Sequence, residues 1–161
     1  MSEITVRFEI ESPPRTKKTS NRIVRIKCRD GRTFQKIMPS KAYMTWFKAA
    51  MRQVLMIRTL ARDQGVSLPL SGPVHVSAVF YRDADRGDLT GYEQALADFL
   101  QEPLFRPKRN GAGVIRDDRQ VVSWDGSRLD VDRSRPRIEV MVRALGAQQE
   151  ILPLAEQGVT V

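Results

Sequence analysis

Five aspartates stand where the chain changes from one kind of pattern to another. Asp83, Asp85 and Asp88 follow an apolar alternation ending near Tyr81 and precede a helical pattern. Asp117 and Asp118 precede the next alternation. Carboxylate oxygens are hard ligands, and Mg²⁺ (or Mn²⁺) sites commonly use one or two of them with waters and substrate phosphates. The chain passes from Asp88 to Asp118 through one helix and one loop. If the strands on either side are neighbours in a sheet, the two carboxylates can converge. A cation held there would activate water and stabilise the leaving oxygen in phosphodiester cleavage. The plainer alternative is that these aspartates cap turns, where Asp is common, and pair with Arg82, Arg86, Arg116 and Arg119.

The charge around them favours an anionic partner. The 161 residues hold 27 Lys and Arg against 19 Asp and Glu, for a net charge of +8. Eleven of the cations lie between Arg7 and Lys41, opposed only by Glu9, Glu11 and Asp30, so this early segment matches the whole excess. Such clustering favours nucleic acid over a diffusely solvated surface.

Other chemistries are excluded by what is missing. One cysteine, Cys28, allows neither an intrachain disulfide nor a multi-cysteine zinc site. One histidine, His75, allows no multi-histidine metal site, and its place on a strand gives it no catalytic role. No apolar run approaches the ~18 residues of a membrane span. Met1-Ser2-Glu3-Ile4 does not open a secretory signal, so a cytoplasmic protein is expected.

The elements that must position the acids read as follows. Ile4, Val6, Phe8 and Ile10 alternate with Thr5, Arg7 and Glu9, which predicts a half-buried strand stopped by Ser12-Pro13-Pro14. Arg15 to Asn21 is an exposed basic loop. Short strands follow near 22–28 and 33–38, with Asp30-Gly31 as their hairpin turn. Ser40 is placed to cap one long helix running to about Gln64 and ended by Gly65. A strand over Pro73–Tyr81 leads to a shorter helix from Leu89 or Thr90 to Gln101. Thr90-Gly91-Tyr92-Glu93 fits a capping box with Thr90 as N-cap, which would leave Asp88 just outside the helix and free to ligate. Gln120–Trp124 and Arg137–Arg143 are the last two strands, with Asp125-Gly126 as turn chemistry between them. This order is no regular βαβ alternation. It predicts an α+β fold with a mixed, mostly antiparallel sheet packed with one long and one shorter helix. Residues 1–145 form one domain, and 146–161 a tail whose weak patterning predicts poor order.

Several stretches together resemble the RusA family of Holliday junction resolvases. They are Pro13-Pro14-Arg15-Thr16-Lys17-Lys18, Pro39-Ser40-Lys41-Ala42-Tyr43, Gly87-Asp88-Leu89-Thr90-Gly91-Tyr92 and Asp117-Asp118-Arg119-Gln120-Val121-Val122. The resemblance follows the order of elements from about Ile4 to Val142. It implies an α+β, homodimeric, Mg²⁺-dependent endonuclease that cuts four-way DNA junctions symmetrically. Carried across by position, Asp88 and Asp118 are the catalytic carboxylates, and Asp88, Asp118 and Asp117 the metal-binding set. Arg15, Lys17, Lys18, Arg22, Lys108 and Arg109 are the candidate DNA contacts. Two positions depart from the family pattern: Thr90 where a second aspartate is usual, and Gln94 where a lysine is usual. Asp85, Asp117 or a water could complete the ligand shell, and Lys17 or Lys18 could replace the lysine. A junction-binding protein that has lost cutting is therefore the second reading. An RNA-binding module ranks below both, because the basic loops hold few aromatics for base stacking.

Overall fold

The computed structural model describes residues 4–17, 21–101 and 111–146. The fold is α+β. Strand β1 (Thr5–Ile10) opens the chain, β2 (Arg22–Lys27) and β3 (Thr33–Met38) form a ribbon, and helices α1 (Lys41–Met51) and α2 (Val54–Asp63) follow. Strand β4 (Val74–Arg82), helix α3 (Leu89–Leu100), β5 (Val121–Ser123), β6 (Arg128–Val131) and β7 (Arg137–Ala144) complete it. The main sheet runs β1-β7-β4-β5, with β6 also on β4. β1 and β4 flank β7 antiparallel, whereas β5 and β6 run parallel to β4. The sheet is thus mixed and mostly antiparallel.

Strict alternation builds the core. Val6, Phe8 and Ile10 of β1, Val76, Ala78 and Phe80 of β4, and Ile138, Val140 and Val142 of β7 are all buried on one sheet face. Tyr43, Trp46 and Ala50 of α1 and Tyr92, Leu96, Phe99 and Leu100 of α3 belong to the same cluster. Trp46 meets Phe99 edge-on at 6.1 Å between ring centres, and Phe80 meets Tyr92 at 5.5 Å, which joins the helices to each other and to the sheet.

Ser40 does cap α1, accepting from the Tyr43 N–H at 3.1 Å. The single long helix, however, is two. Arg52 and Gln53 interrupt it, and the interruption re-phases the apolar stripe: Ile57 and Ala61 are fully buried while Leu55 is 78% exposed. The residues at the break and at the end of α2 bond to partners far away in sequence. The Gln53 side chain accepts from the Glu11 N–H at 2.8 Å and donates to the Glu11 carbonyl at 3.2 Å. Gln64 does the same for Arg7 at 3.3 and 3.2 Å. The two amides at either end of α2 therefore satisfy backbone groups on the open edge of β1, which would otherwise be a template for foreign strands.

The last third of the chain also differs from the periodicity reading. Asp125-Gly126 does not join the final two strands. It interrupts a path along one edge of β4, with β5 opposite Val74 and His75 and β6 opposite Val79–Arg82. The Ala78 N–H in that gap donates to Ser127 Oγ at 3.1 Å. Periodicity does not predict β6, because Arg128-Leu129-Asp130-Val131 is exposed on most of its length and lacks a buried alternation.

Candidate active site

Parallel pairing of β4 with β5 requires a crossover, and α3 supplies it. Its start is fixed by Asp88, not Thr90. Asp88 Oδ1 accepts from the Gly91 N–H at 2.7 Å, and Leu89 is already helical. A carboxylate is at least as good a cap as a hydroxyl, and its charge suits the positive helix end, so Asp88 takes the role that the Thr90 box would have filled. Gly91 belongs to this cap: a Cβ there would lie 2.7 Å from Asp88 Oδ1 and 3.0 Å from Thr16 Cγ2. The far end of α3 is closed by the returning chain. Ala112, Val114 and Ile115 donate to the carbonyls of Phe99 and Leu100 at 2.7 to 3.1 Å. A Cβ at Gly111 would overlap the Gln101 carbonyl at 2.0 Å, so only glycine allows that approach.

Arg15, Thr16 and Lys17 run from the β4–α3 connection onto α3. Arg15 makes a two-pronged ion pair with Asp83 at 2.8 and 2.7 Å, and Thr16 packs on Gly91. Lys17 Nζ reaches Asp98 Oδ2 at 2.6 Å. The Arg15 guanidinium holds the Asp83 carboxyl down at about 2.

Asp117 and Asp118 enter from the other side. Asp117 caps a short 3-10 helix (Asp118–Gln120), accepting from the Arg119 N–H at 2.9 Å. Gln120 closes a capping box. Its Oε1 accepts from Arg116 and Asp117 N–H at 2.7 and 3.1 Å, and its Nε2 donates to the Leu70 and Gly72 carbonyls at 3.0 and 2.7 Å. This clamp fixes the Asp-Asp pair at the entrance of β5.

Asp118 stands where two clefts meet. One, of about 480 Å³, is lined by Thr90, Glu93, Gln94 and Ala97 of α3 together with Asp118 and Arg119. The other, of about 320 Å³, is lined by Lys17, Asn21, Gln94, Ala97, Asp98 and Asp118. The α3 residues fall on one helix face by their spacing of three and four. Partial desolvation, the neighbouring Asp117 and then Asp98 raise the Asp118 carboxyl above its ordinary range. Asp117 moves the opposite way, because the Arg119 N–H binds its charged form. Burial, with Asp98 behind it, pushes the Tyr43 phenol up. A separate apolar groove of about 1040 Å³, between α2 and the β1–β7–β4 face, has none of the predicted site residues in its lining.

Comparison with known proteins finds no family model and no curated protein that matches this chain.

The predicted residues divide by position. Asp118, Thr90, Gln94 and Lys17 line the clefts, and Lys17 occupies the same cleft as Gln94. Asp88 lines neither. Its Oδ1 is turned to the Gly91 N–H as the cap of α3. Asp118 shares its clefts with α3 residues from Thr90 in the first turn to Asp98 near the far end. Asp85 is bound by Arg82 at 2.9 Å, and Asp117 lies 3.6 Å from Arg119. Arg22 is exposed on β2, while Lys18, Lys108, Arg109 and the tail from residue 147 lie outside the described residues. Among the described residues, no three Asp, Glu, His or Cys side chains gather closely enough to hold a metal ion, and no helix is long and apolar enough to cross a membrane.

Sequence reasoning missed Asp98 and the clamp made by Gln120. Both had a signal. Asp98 lies four residues after Gln94, on the same helix face. Asp117 and Gln120 stand three apart, as a capping box requires.

Proposed function

We propose that this chain is a Mg²⁺-dependent, structure-selective DNA endonuclease acting on four-way junctions. The observation that carries this reading is Asp118 at the junction of two clefts, with a second carboxylate, Asp98, across one of them and the cations Lys17 and Arg119 on the rims. The donors fit a hard cation. Asp118 and Asp98 offer carboxylate oxygens on the smaller cleft and Gln94 a neutral one, and Mg²⁺ needs only one or two carboxylates when water and phosphate complete its shell. Such an ion, when bound, activates a water and stabilises the leaving oxygen.

The chain's own residues do the rest. Lys17 and Asn21 would meet the phosphate backbone at the mouth of the smaller cleft, and Arg119 at the mouth of the larger. Gln120 holds the Asp117–Asp118 turn rigid against the start of β4. Arg15 is engaged by Asp83, so it anchors the start of the basic loop on the β4–α3 connection and contributes little charge to DNA.

A second reading, a junction-binding protein without cutting, is favoured by Thr90 in the larger cleft and by the Lys17 ammonium seated on Asp98. One assay separates them. Purified protein is given labelled four-way junctions with Mg²⁺ or Mn²⁺. Symmetric nicks that vanish in Asp118→Asn support the nuclease. Tight, salt-sensitive binding with no product supports the second reading.

A further inference from the structure

The β2–β3 ribbon stands apart from the clefts. Its strands pair with each other and with no strand of the main sheet. From Arg22 to Met38 it carries six cations, Arg22, Arg25, Lys27, Arg29, Arg32 and Lys36, against one carboxylate. That carboxylate, Asp30, is already held by Arg32 at 2.6 Å. The cross-strand register sorts its two faces. Val24 and Ile26 share one face with Phe34 and Met38, and are half-buried there. The other face is exposed throughout. It sets Ile23 directly opposite Ile37, with Arg25 and Lys27 next along the strand. Ile23 is 68% exposed and Ile37 70%.

Single exposed apolar side chains are ordinary, but two β-branched ones directly opposed on an uncovered, cationic ribbon are not. Leaving that pair in water forgoes the burial that either side chain could gain. The charge decides what would cover it. A second copy would press two cationic ribbons together, which repels, whereas a polyanion is attracted. Apolar wedges flanked by Lys and Arg enter between bases that are already poorly stacked, and a two-stranded ribbon is narrow enough to lie in a groove.

We propose that the Ile23/Ile37 face of the ribbon inserts at the open centre of branched DNA, with Arg25 and Lys27 on the adjoining phosphates. The proposal rests on the DNA reading above, but concerns recognition and not cutting. It makes the ribbon the part of the chain that distinguishes a branch point from a continuous helix.

The test uses the full chain in EDTA, so that cleavage plays no part. The probes are a four-way junction with 2-aminopurine at its crossover and a linear duplex of the same sequence. Ile23→Thr with Ile37→Thr keeps β-branching and hence the ribbon. This variant should bind the junction about tenfold more weakly, bind the duplex within about twofold of the parent, and lose the 2-aminopurine fluorescence rise. Ile23→Val with Ile37→Val should restore all three. Arg25→Ala with Lys27→Ala should weaken binding to both DNAs and lower the salt slope by about 2. Unchanged junction affinity and fluorescence in the threonine variant would overturn the proposal alone. A parent protein that binds neither DNA would overturn the DNA reading with it. A parent dimer that the threonine variant converts to monomer, or binding to phosphatidylserine vesicles lost in that variant, would reassign the face and also overturn the proposal.

Discussion

Lys17 Nζ lies 2.6 Å from Asp98 Oδ2, inside the cleft that Asp118 also lines. The pair joins a basic loop near the chain's start to the third turn of α3. It places a positive charge beside two carboxylates at the point where a phosphate backbone would arrive. Both side chains are partly exposed, at 43% and 30%, so the contact is weak enough to exchange for a phosphate.

The first prediction concerns these acids. Asp118→Asn and Asp98→Asn should each lower junction cleavage in Mg²⁺ by about a hundredfold or more. Junction binding in EDTA should hold or improve, since negative charge near phosphates is removed. Gel-based cleavage and binding on one substrate measure both. Full activity in Asp98→Asn would restrict Asp98 to holding Lys17.

Asp88 offers a cleaner separation of roles. Asp88→Ala removes the cap on α3 and should cost about 1 kcal/mol in urea denaturation. Asp88→Asn keeps an oxygen acceptor for the Gly91 N–H and should stay within about 0.5 kcal/mol of the parent. Under the family resemblance, the Asn variant still loses cleavage. An Asn variant that cuts normally would make Asp88 a helix cap and nothing more.

Gln120→Ala strips four backbone hydrogen bonds at once. It should destabilise the fold by about 2 kcal/mol. Because Gln120 holds Asp118 without touching the clefts, its loss should lower the maximal cleavage rate more than it weakens DNA binding. Gln120→Glu keeps the acceptor oxygen and should recover part of that rate.

The Arg15–Asp83 pair sets an acid limit. The folded-state Asp83 pKa of about 2 is below its ordinary 3.8. A depressed carboxyl stabilises the fold above the unfolded value, and the stability is lost as pH falls through the folded one. The window is therefore about pH 4 down to 2. The contribution at neutral pH is about 1 kcal/mol after screening of this partly exposed pair. Thermal melts from pH 7 to 2 should show the loss, and Arg15→Ala should flatten it in that window.

Much of this protein was written locally. Alternation in Ile4–Ile10 and Val74–Phe80 fixed which side of each strand is buried, because successive side chains must point to opposite faces. Ser40 and Asp30-Gly31 acted where their own chemistry put them, as a helix cap and a hairpin turn. The cluster of early cations needed only counting. What the sequence could not decide was every relation that depends on strand direction or on a distant partner. The Gln53 side chain at the helix break is held by Glu11, which is 42 residues away. Asp98 and Asp118 share one cleft, and Thr90 and Asp118 another, because the crossover helix α3 packs along the entrance of β5. A side-chain pattern reports which face a residue occupies; only the packed chain fixes which other faces it meets.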